Sequence, residues 1–185
     1  MGSQGAGKGT QAKKIAAAYE IPHISTGDLY RAAIAAGTDL GMEVAPLLAD
    51  GKLVPDEITI PLIRDKVLEA ETGFVLDGFP RNLAQAEALD ELLEEIGRPL
   101  AVVLLLELSD DTARGRLTKR AELEGREDDQ PEAIERRLRD YHEKTEPVVE
   151  HYRATGKLVG VHAERSIEEV WAEIADALEQ LQARA

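Results

Sequence analysis

The chain has 185 residues, 36 acidic against 22 basic side chains and a net charge of −14, which argues against a nucleic-acid polymer as partner because such binding needs a basic field to displace counterions. It has no cysteine, so disulfides and thiolate metal sites are excluded. Its longest apolar run, Leu100 to Leu106, is far short of the roughly 20 residues that span a bilayer, and no charged n-region with a cleavage site is present, so a cytoplasmic protein without a membrane partner is expected.

In chain order the first element is the stretch Gly2-Ser3-Gln4-Gly5-Ala6-Gly7-Lys8-Gly9-Thr10. It fits the phosphate-cradling pattern G-x-x-x-x-G-K, in which glycines let backbone N–H groups turn inward while a lysine reaches the outer phosphates. Residues 10 to 20 are rich in helix formers, so the loop opens into a helix whose positive end faces the anion. A loop of this kind follows a buried strand at the carboxyl edge of a parallel sheet, yet only Met1 precedes Gly2. The expectation is a native chain that starts further upstream, because a central gap in the sheet would leave two strands with unpaired edges.

Residues 21 to 25 read as a brief strand, and Ser25 and Asp28 stand in the S-x-x-D relation of a helix cap for a helix from Leu29 to Ala36. A second helix is predicted over about 40 to 49, and Pro55 opens a third that runs to about Glu71. The run from Gly73 ends in Asp77-Gly78-Phe79-Pro80-Arg81 and reads as a buried parallel strand, with Asp77 beside the phosphate loop, where an acid suits magnesium directly or through water. A helix over 82 to 96, a strand over Ala101 to Leu108 and a helix over 110 to 122 follow. A long helix from 129 to about 155 is predicted to bend near Pro147. Lys157 to His162 gives the last strand, and Ser166 with Glu169 forms a capping box for a final helix whose Ile167, Val170, Trp171, Ile174, Leu178 and Leu181 make one apolar stripe. Alternating strands and helices without internal repeats predict a doubly wound parallel α/β sheet with an aliphatic core.

In so acidic a chain, Arg114, Arg116, Lys119, Arg120, Arg126, Arg136, Arg137 and Arg139 fall within one region. Arg114, Arg136 and Arg139 suit a solvated helical surface. Arg116 and Arg120 are four apart and share a helix face. The four histidines, His23, His142, His151 and His162, form no arrangement with a serine that would suggest a nucleophile.

Six stretches together resemble the adenylate kinases of the nucleoside monophosphate kinase family: GSQGAGKGTQA at 2 to 12, ISTGDLYRA at 24 to 32, GKLVPDE at 51 to 57, GFVLDGFPRNLAQA at 73 to 86, RLTKR at 116 to 120 and REDDQPEAIERRL at 126 to 138. The resemblance implies a P-loop NTPase fold in one domain, with a core of 1–24, 55–118 and 127–185, a flap at 25–54 that binds the monophosphate, and a short lid at 119–126. It implies transfer of the terminal phosphoryl of ATP to AMP, giving two ADP, with magnesium accompanying ATP, in a cytoplasmic monomer that has no zinc.

By resemblance, Gly5, Ala6, Gly7, Lys8, Gly9 and Thr10 wrap the ATP phosphates, with Arg120 and the backbone at Arg165 on the same side. Thr26, Arg31, Lys52, Leu53, Val54, Gly78, Phe79, Pro80, Arg81 and Gln85 form the AMP pocket. Arg126 and Arg137 approach the AMP and the transferring group, and the catalytic cations are Lys8, Arg81, Arg120, Arg126 and Arg137. Thr10 stands one place later than in the general phosphate-loop pattern, and Gln4 replaces the family's usual proline. Two alternatives stay open: a UMP/CMP kinase, whose members tend to carry alanine at Thr26 and asparagine at Gln85, and an inactive nucleotide-binding remnant that lacks its first strand.

Overall fold

The computed structural model describes residues 1–124 and 129–183. Helix α1, Lys8–Tyr19, grows directly out of the glycine loop with Gly7 as its N-cap and no side chain capping its first turn. The N–H groups of that turn therefore stay available to an anion. Strand β1, His23–Ser25, hands over to α2, Thr26–Ala35, where the Ser25 hydroxyl accepts the Asp28 N–H at 3.3 Å, as the S-x-x-D spacing predicts. Helix α3, Asp39–Ala49, is capped by Thr38, and α4, Asp56–Glu69, begins just after Pro55. Then come β2 (Val75–Asp77), α5 (Leu83–Glu95), β3 (Val103–Glu107) and α6 (Asp110–Glu124).

The helix expected over 129 to 155 is three pieces: α7 (Pro131–Asp140), a π-helical turn (Tyr141–Thr145) and α8 (Glu146–Ala154). Pro147 sits in the first turn of α8, where its missing N–H breaks no ladder, and the widened turn ahead of it lets the Glu146 N–H reach back to the Tyr141 carbonyl. Strand β4, Leu158–His162, and α9, Ile167–Gln182, complete the chain, and α9 opens on the expected capping box of Ser166 and Glu169. Of its apolar stripe, Val170 and Ile174 are buried, Trp171 is half-buried under the Lys14 ammonium, and Ile167 is 54 % exposed at the helix's first position.

The strands make two parallel pairs. β1 pairs with β2 from His23 against Val75 to Ser25 against Asp77, and β3 pairs with β4 from Val103 against Leu158 to Glu107 against His162. Among the described residues no strand joins β2 to β3, so the single sheet expected from the sequence is two half-sheets. What lies between them is the start of the chain. The Met1 amine donates to the Leu104 carbonyl, and the Leu106 N–H donates to the Met1 carbonyl at 3.0 Å, the pattern of a parallel strand with Met1 opposite Leu105. Gly2 follows at φ 127°, so close to β3 that a Cβ would run into the Leu106 carbonyl.

Each half-sheet has its own aliphatic core. Ile24 packs with Ile63 and Val67 of α4 and Leu89, Leu92 and Leu93 of α5. Leu106 and Val161 pack with Ile15 of α1 and Val170 and Ile174 of α9. Helix α8 covers β3 through Val148 and Tyr152, α6 and α7 pair through Leu117, Ile134 and Leu138, and α2 and α3 close over Tyr30 and Val44. Among the described residues no single helix is long and apolar enough to cross a membrane. This arrangement sets the carboxyl ends of β1 and β2, the glycine loop and the starts of α2 and α5 around one cleft.

Candidate active site

Lys8, the first residue of α1, donates its Nζ to the carbonyls of Gly2 at 2.9 Å and Ser3 at 2.7 Å, so the ammonium closes the loop on itself. Burial brings its pKa down to about 8; Asp77 opposes the shift, while the like charges of Arg81, Arg137 and Arg120 add to it. Those neighbours place one carboxylate and three guanidinium groups around the Lys8 ammonium. Arg116 reaches the loop as well, donating to the Gly5 carbonyl at 3.3 Å.

Asp77 ends β2, with its side chain only 14 % exposed. Burial pushes its carboxyl up, but His23, Lys8 and Arg81 together outweigh it and hold the group below the usual carboxylate range. His23 Nε2 stands 3.5 Å from Asp77 Oδ2, at ion-pair distance. The carboxylate also faces the backbone of Gly9, where a Cβ would lie 3.3 Å from Oδ2. Among the described residues no three His, Asp or Glu side chains group to hold a metal. A lone carboxylate at the phosphate loop nevertheless fits Mg²⁺, which takes one or two carboxylates and fills its other positions with phosphate oxygens and water.

The turn after β2 builds the neighbouring pocket. Gly78 sits at φ 80°, where a Cβ would come within 2.5 Å of Thr26 Oγ1, and that hydroxyl donates to the Gly78 carbonyl at 3.1 Å. Arg81 Nε donates to the same carbonyl at 2.7 Å, while the Arg81 carbonyl accepts the Thr145 hydroxyl at 2.8 Å. Gln85 is fixed at both ends of its amide: Oε1 accepts the Arg81 N–H at 2.8 Å and Nε2 donates to Asp56 Oδ1 at 2.6 Å. Asn82, the N-cap of α5, also donates to Asp56 at 3.0 Å.

Thr26, Arg31, Lys52, Leu53, Val54, Gly78, Arg81, Gln85 and Arg137 line this one pocket. Arg31 is paired at rest with Asp28 at 2.5 Å, and Lys52 with Asp50 at 2.7 Å. Phe79 and Pro80 do not line the pocket: both are buried, and Phe79 belongs to the core beneath. Gly5, Ala6, Gly7, Gly9 and Thr10 form the loop and the first turn of α1.

Arg120 of α6 forks onto Asp129, Nε to Oδ2 at 2.6 Å and an Nη to Oδ1 at 2.7 Å, and Arg137 of α7 donates to Asp129 Oδ1 at 2.8 Å. The Asp129 side chain is wholly buried. Arg126 lies outside the described residues. Arg165 donates to the His162 carbonyl and pairs with Glu173, so its side chain turns toward α9.

Two residues not singled out from the sequence belong to this constellation, Asp56 and Asp129. Both fall inside recognised stretches, VPDE and REDDQ, but in an acidic chain an aspartate carries little signal of its own.

The family model described as adenylate kinase matches residues 1–157. An adenylate kinase of Xanthomonas euvesicatoria pv. vesicatoria is 46% identical over 180 residues, covering 96% of both chains, and one of Xanthomonas campestris pv. campestris matches to the same extent. An adenylate kinase of a Cyanothece species is 45% identical over 183 residues, 98% of this chain and 94% of the relative.

Proposed function

This chain belongs to the adenylate kinase family, and on that premise we propose how its residues divide the work of phosphoryl transfer. It catalyses the reversible transfer of the terminal phosphoryl of ATP to AMP, giving two ADP. Both substrates are polyanions, so the barrier lies in pressing negative oxygens together, and fixed cations in a site closed to water lower it.

The observation that supports the residue assignment is the meeting of Lys8, Asp77, Arg81, Arg120 and Arg137 at the junction of glycine loop and pocket. Gly5 to Thr10 hold the ATP phosphates, with Lys8 leaving the Gly2 and Ser3 carbonyls for phosphate oxygens, and Arg120 and the Arg165 backbone lie on the ATP side. The pocket of Thr26, Arg31, Lys52 to Val54, Gly78, Arg81 and Gln85 takes AMP, with Phe79 and Pro80 supporting it from below. Arg81 and Arg31 fork onto the AMP phosphate, a geometry that a lysine cannot match. Gln85 presents a donor and an acceptor to the adenine edge.

Arg137 and Arg126 face the transferring group and spread its developing charge. Asp77 is the residue that would hold Mg²⁺ accompanying ATP, directly or through water, and the ion would supply positive charge against the phosphates. The flap at 25–54 and the lid at 119–126 close over the nucleotides and keep water from taking the phosphoryl, a motion for which adenylate kinases are a known example. The same reading makes the protein a cytoplasmic monomer.

An assay coupling ADP production to a reporter, with ATP as donor and AMP, CMP or UMP as acceptor, tests the assignment. AMP is expected to be preferred strongly. Equal or faster turnover with CMP or UMP would overturn the roles given to Thr26 and Gln85.

A further inference from the structure

Gln11 stands one turn into α1, its N–H on the Gly7 carbonyl at 3.1 Å, and it is buried although no step given above uses it. Its Nε2 donates to the Ile167 carbonyl at 3.0 Å, joining groups 156 positions apart in the chain. Its Oε1 is buried with no hydrogen-bond partner among the described residues. A buried amide satisfied at one end only is a poor source of stability, so what Gln11 does lies in what its nitrogen holds.

Other residues hold α1 and α9 together. Ile15 of α1 packs with Val170 and Ile174 of α9, but apolar contact has no direction and does not fix how far one helix slides along the other. Lys14 pairs with Glu168 at 2.9 Å on the exposed side, where such a bond is weak. The Gln11 bond is directional and buried, and it sets that register. Ile167 opens α9 two residues after Arg165. From the other side Glu164 Oε1 accepts the Ser109 N–H at 2.8 Å, the Ser109 hydroxyl at 2.7 Å and the Thr112 hydroxyl at 3.0 Å, at the start of the helix that carries Arg116 and Arg120.

We propose that Gln11 is a positioning residue for the phosphoryl donor: with Glu164 it fixes the backbone at Arg165 at a set distance from the glycine loop, so that base and phosphates of ATP are gripped in register. This rests on the reading that the Arg165 backbone lies on the ATP side. A shift of about 1 Å between the two grips weakens the hold on the whole nucleotide but not on its phosphates alone. Neither Gln11, Glu164 nor Ile167 lines the pocket assigned to AMP.

Steady-state assays of the parent chain, Gln11→Leu and Glu164→Ala test this, with ATP or GTP as donor and inorganic tripolyphosphate as inhibitor. Gln11→Leu removes the nitrogen and the unpaired oxygen together. It should raise KM for ATP about ten-fold and narrow the preference for ATP over GTP, while KM for AMP, kcat at saturation and the tripolyphosphate inhibition constant stay within about two-fold and the melting temperature does not fall. Glu164→Ala should move KM for ATP and the donor preference the same way. An unchanged KM for ATP in Gln11→Leu, beside a parent that prefers ATP, would overturn the proposal and leave the base site standing. A parent indifferent to ATP and GTP would overturn both. Equal weakening of ATP and tripolyphosphate would place the damage in the glycine loop and overturn the register argument. Should Gln11→Leu not fold, Gln11→Glu keeps the shape, turns an acceptor toward the Ile167 carbonyl and decides by the same measures.

Discussion

Arg81 is held by backbone at both ends, its Nε on the Gly78 carbonyl and its own carbonyl taking the Thr145 hydroxyl, while its proposed work is done by charge. Arg81→Ala therefore removes the charge without unseating the turn. We expect turnover to fall by about 10³-fold in Arg81→Ala and in Arg120→Ala, with melting temperature little changed for Arg81→Ala. Rates near those of the parent chain in either variant would remove that arginine from the mechanism. Asp56 has a subtler task. By taking the Gln85 Nε2 it fixes which end of that amide is acceptor and which is donor, so Asp56→Asn should raise KM for AMP about ten-fold and narrow the preference for AMP over CMP, with kcat at saturation nearly kept. Equal losses in KM for ATP and for AMP would mark the residue as merely structural. The structure brings together Lys8, named from the glycine-loop pattern, and Arg81, Arg120 and Arg137, named from the resemblance, whereas Asp56 and Asp129 were hidden by the acidity of the chain.

At the scale of elements, the starts of α2, α3, α5 and α9 follow side chains that satisfy first-turn N–H groups. Ser25 and Ser166 both cap as their spacing predicts, and the Ser166 box includes the Glu169 side chain bonding back to the Ser166 N–H at 3.0 Å. Ser166→Ala should cost about 1 kcal/mol and lower the melting temperature by about 3 °C, while ADP formation stays at the parent rate. A calorimetric scan beside the coupled assay checks both halves, and lost activity would mean that the start of α9 reaches the ATP site more directly. The π-helical turn Tyr141–Thr145 had no such signature. Its residues are ordinary helix residues, and only tertiary context, with Thr145 pinned to the Arg81 carbonyl, requires the widened turn.

For the molecule as a whole, alternating periodicity gave the order of strands and helices and the aliphatic core, and the lone Met1 before the glycine loop signalled a gap in mid-sheet, but which strands flank it, β2 and β3, was not encoded. Pairing partners are set by neighbours distant in sequence, and local pattern does not encode them. In a polypeptide that begins at Met1, the buried α-amine between the half-sheets ties stability to pH. Its pKa falls from 8.0 unfolded to about 5 folded, so between those values the unfolded chain holds a proton that the folded chain does not, and stability rises as pH climbs from 5 to 8. His142, whose pKa is raised by Glu146 and Asp110, works in the opposite sense, losing its contribution as pH rises, but it is largely exposed and its effect is small. Melting temperatures of residues 1–185 at pH 5.5 and pH 8, with and without N-terminal acetylation, should show a rise that acetylation flattens. An identical rise in the acetylated chain would assign it to other groups.

Asp129, sealed from solvent between Arg120 and Arg137, gives the resting enzyme a counter-anion of its own. Any ligand must compete with a carboxylate already in place. Orthophosphate, with one small headgroup to offer, gains little from such an exchange; a nucleotide engages the glycine loop and the base pocket at the same moment and can win it. Orthophosphate is therefore expected to inhibit ADP formation only weakly, and a competition assay that found strong inhibition would deny Asp129 this part.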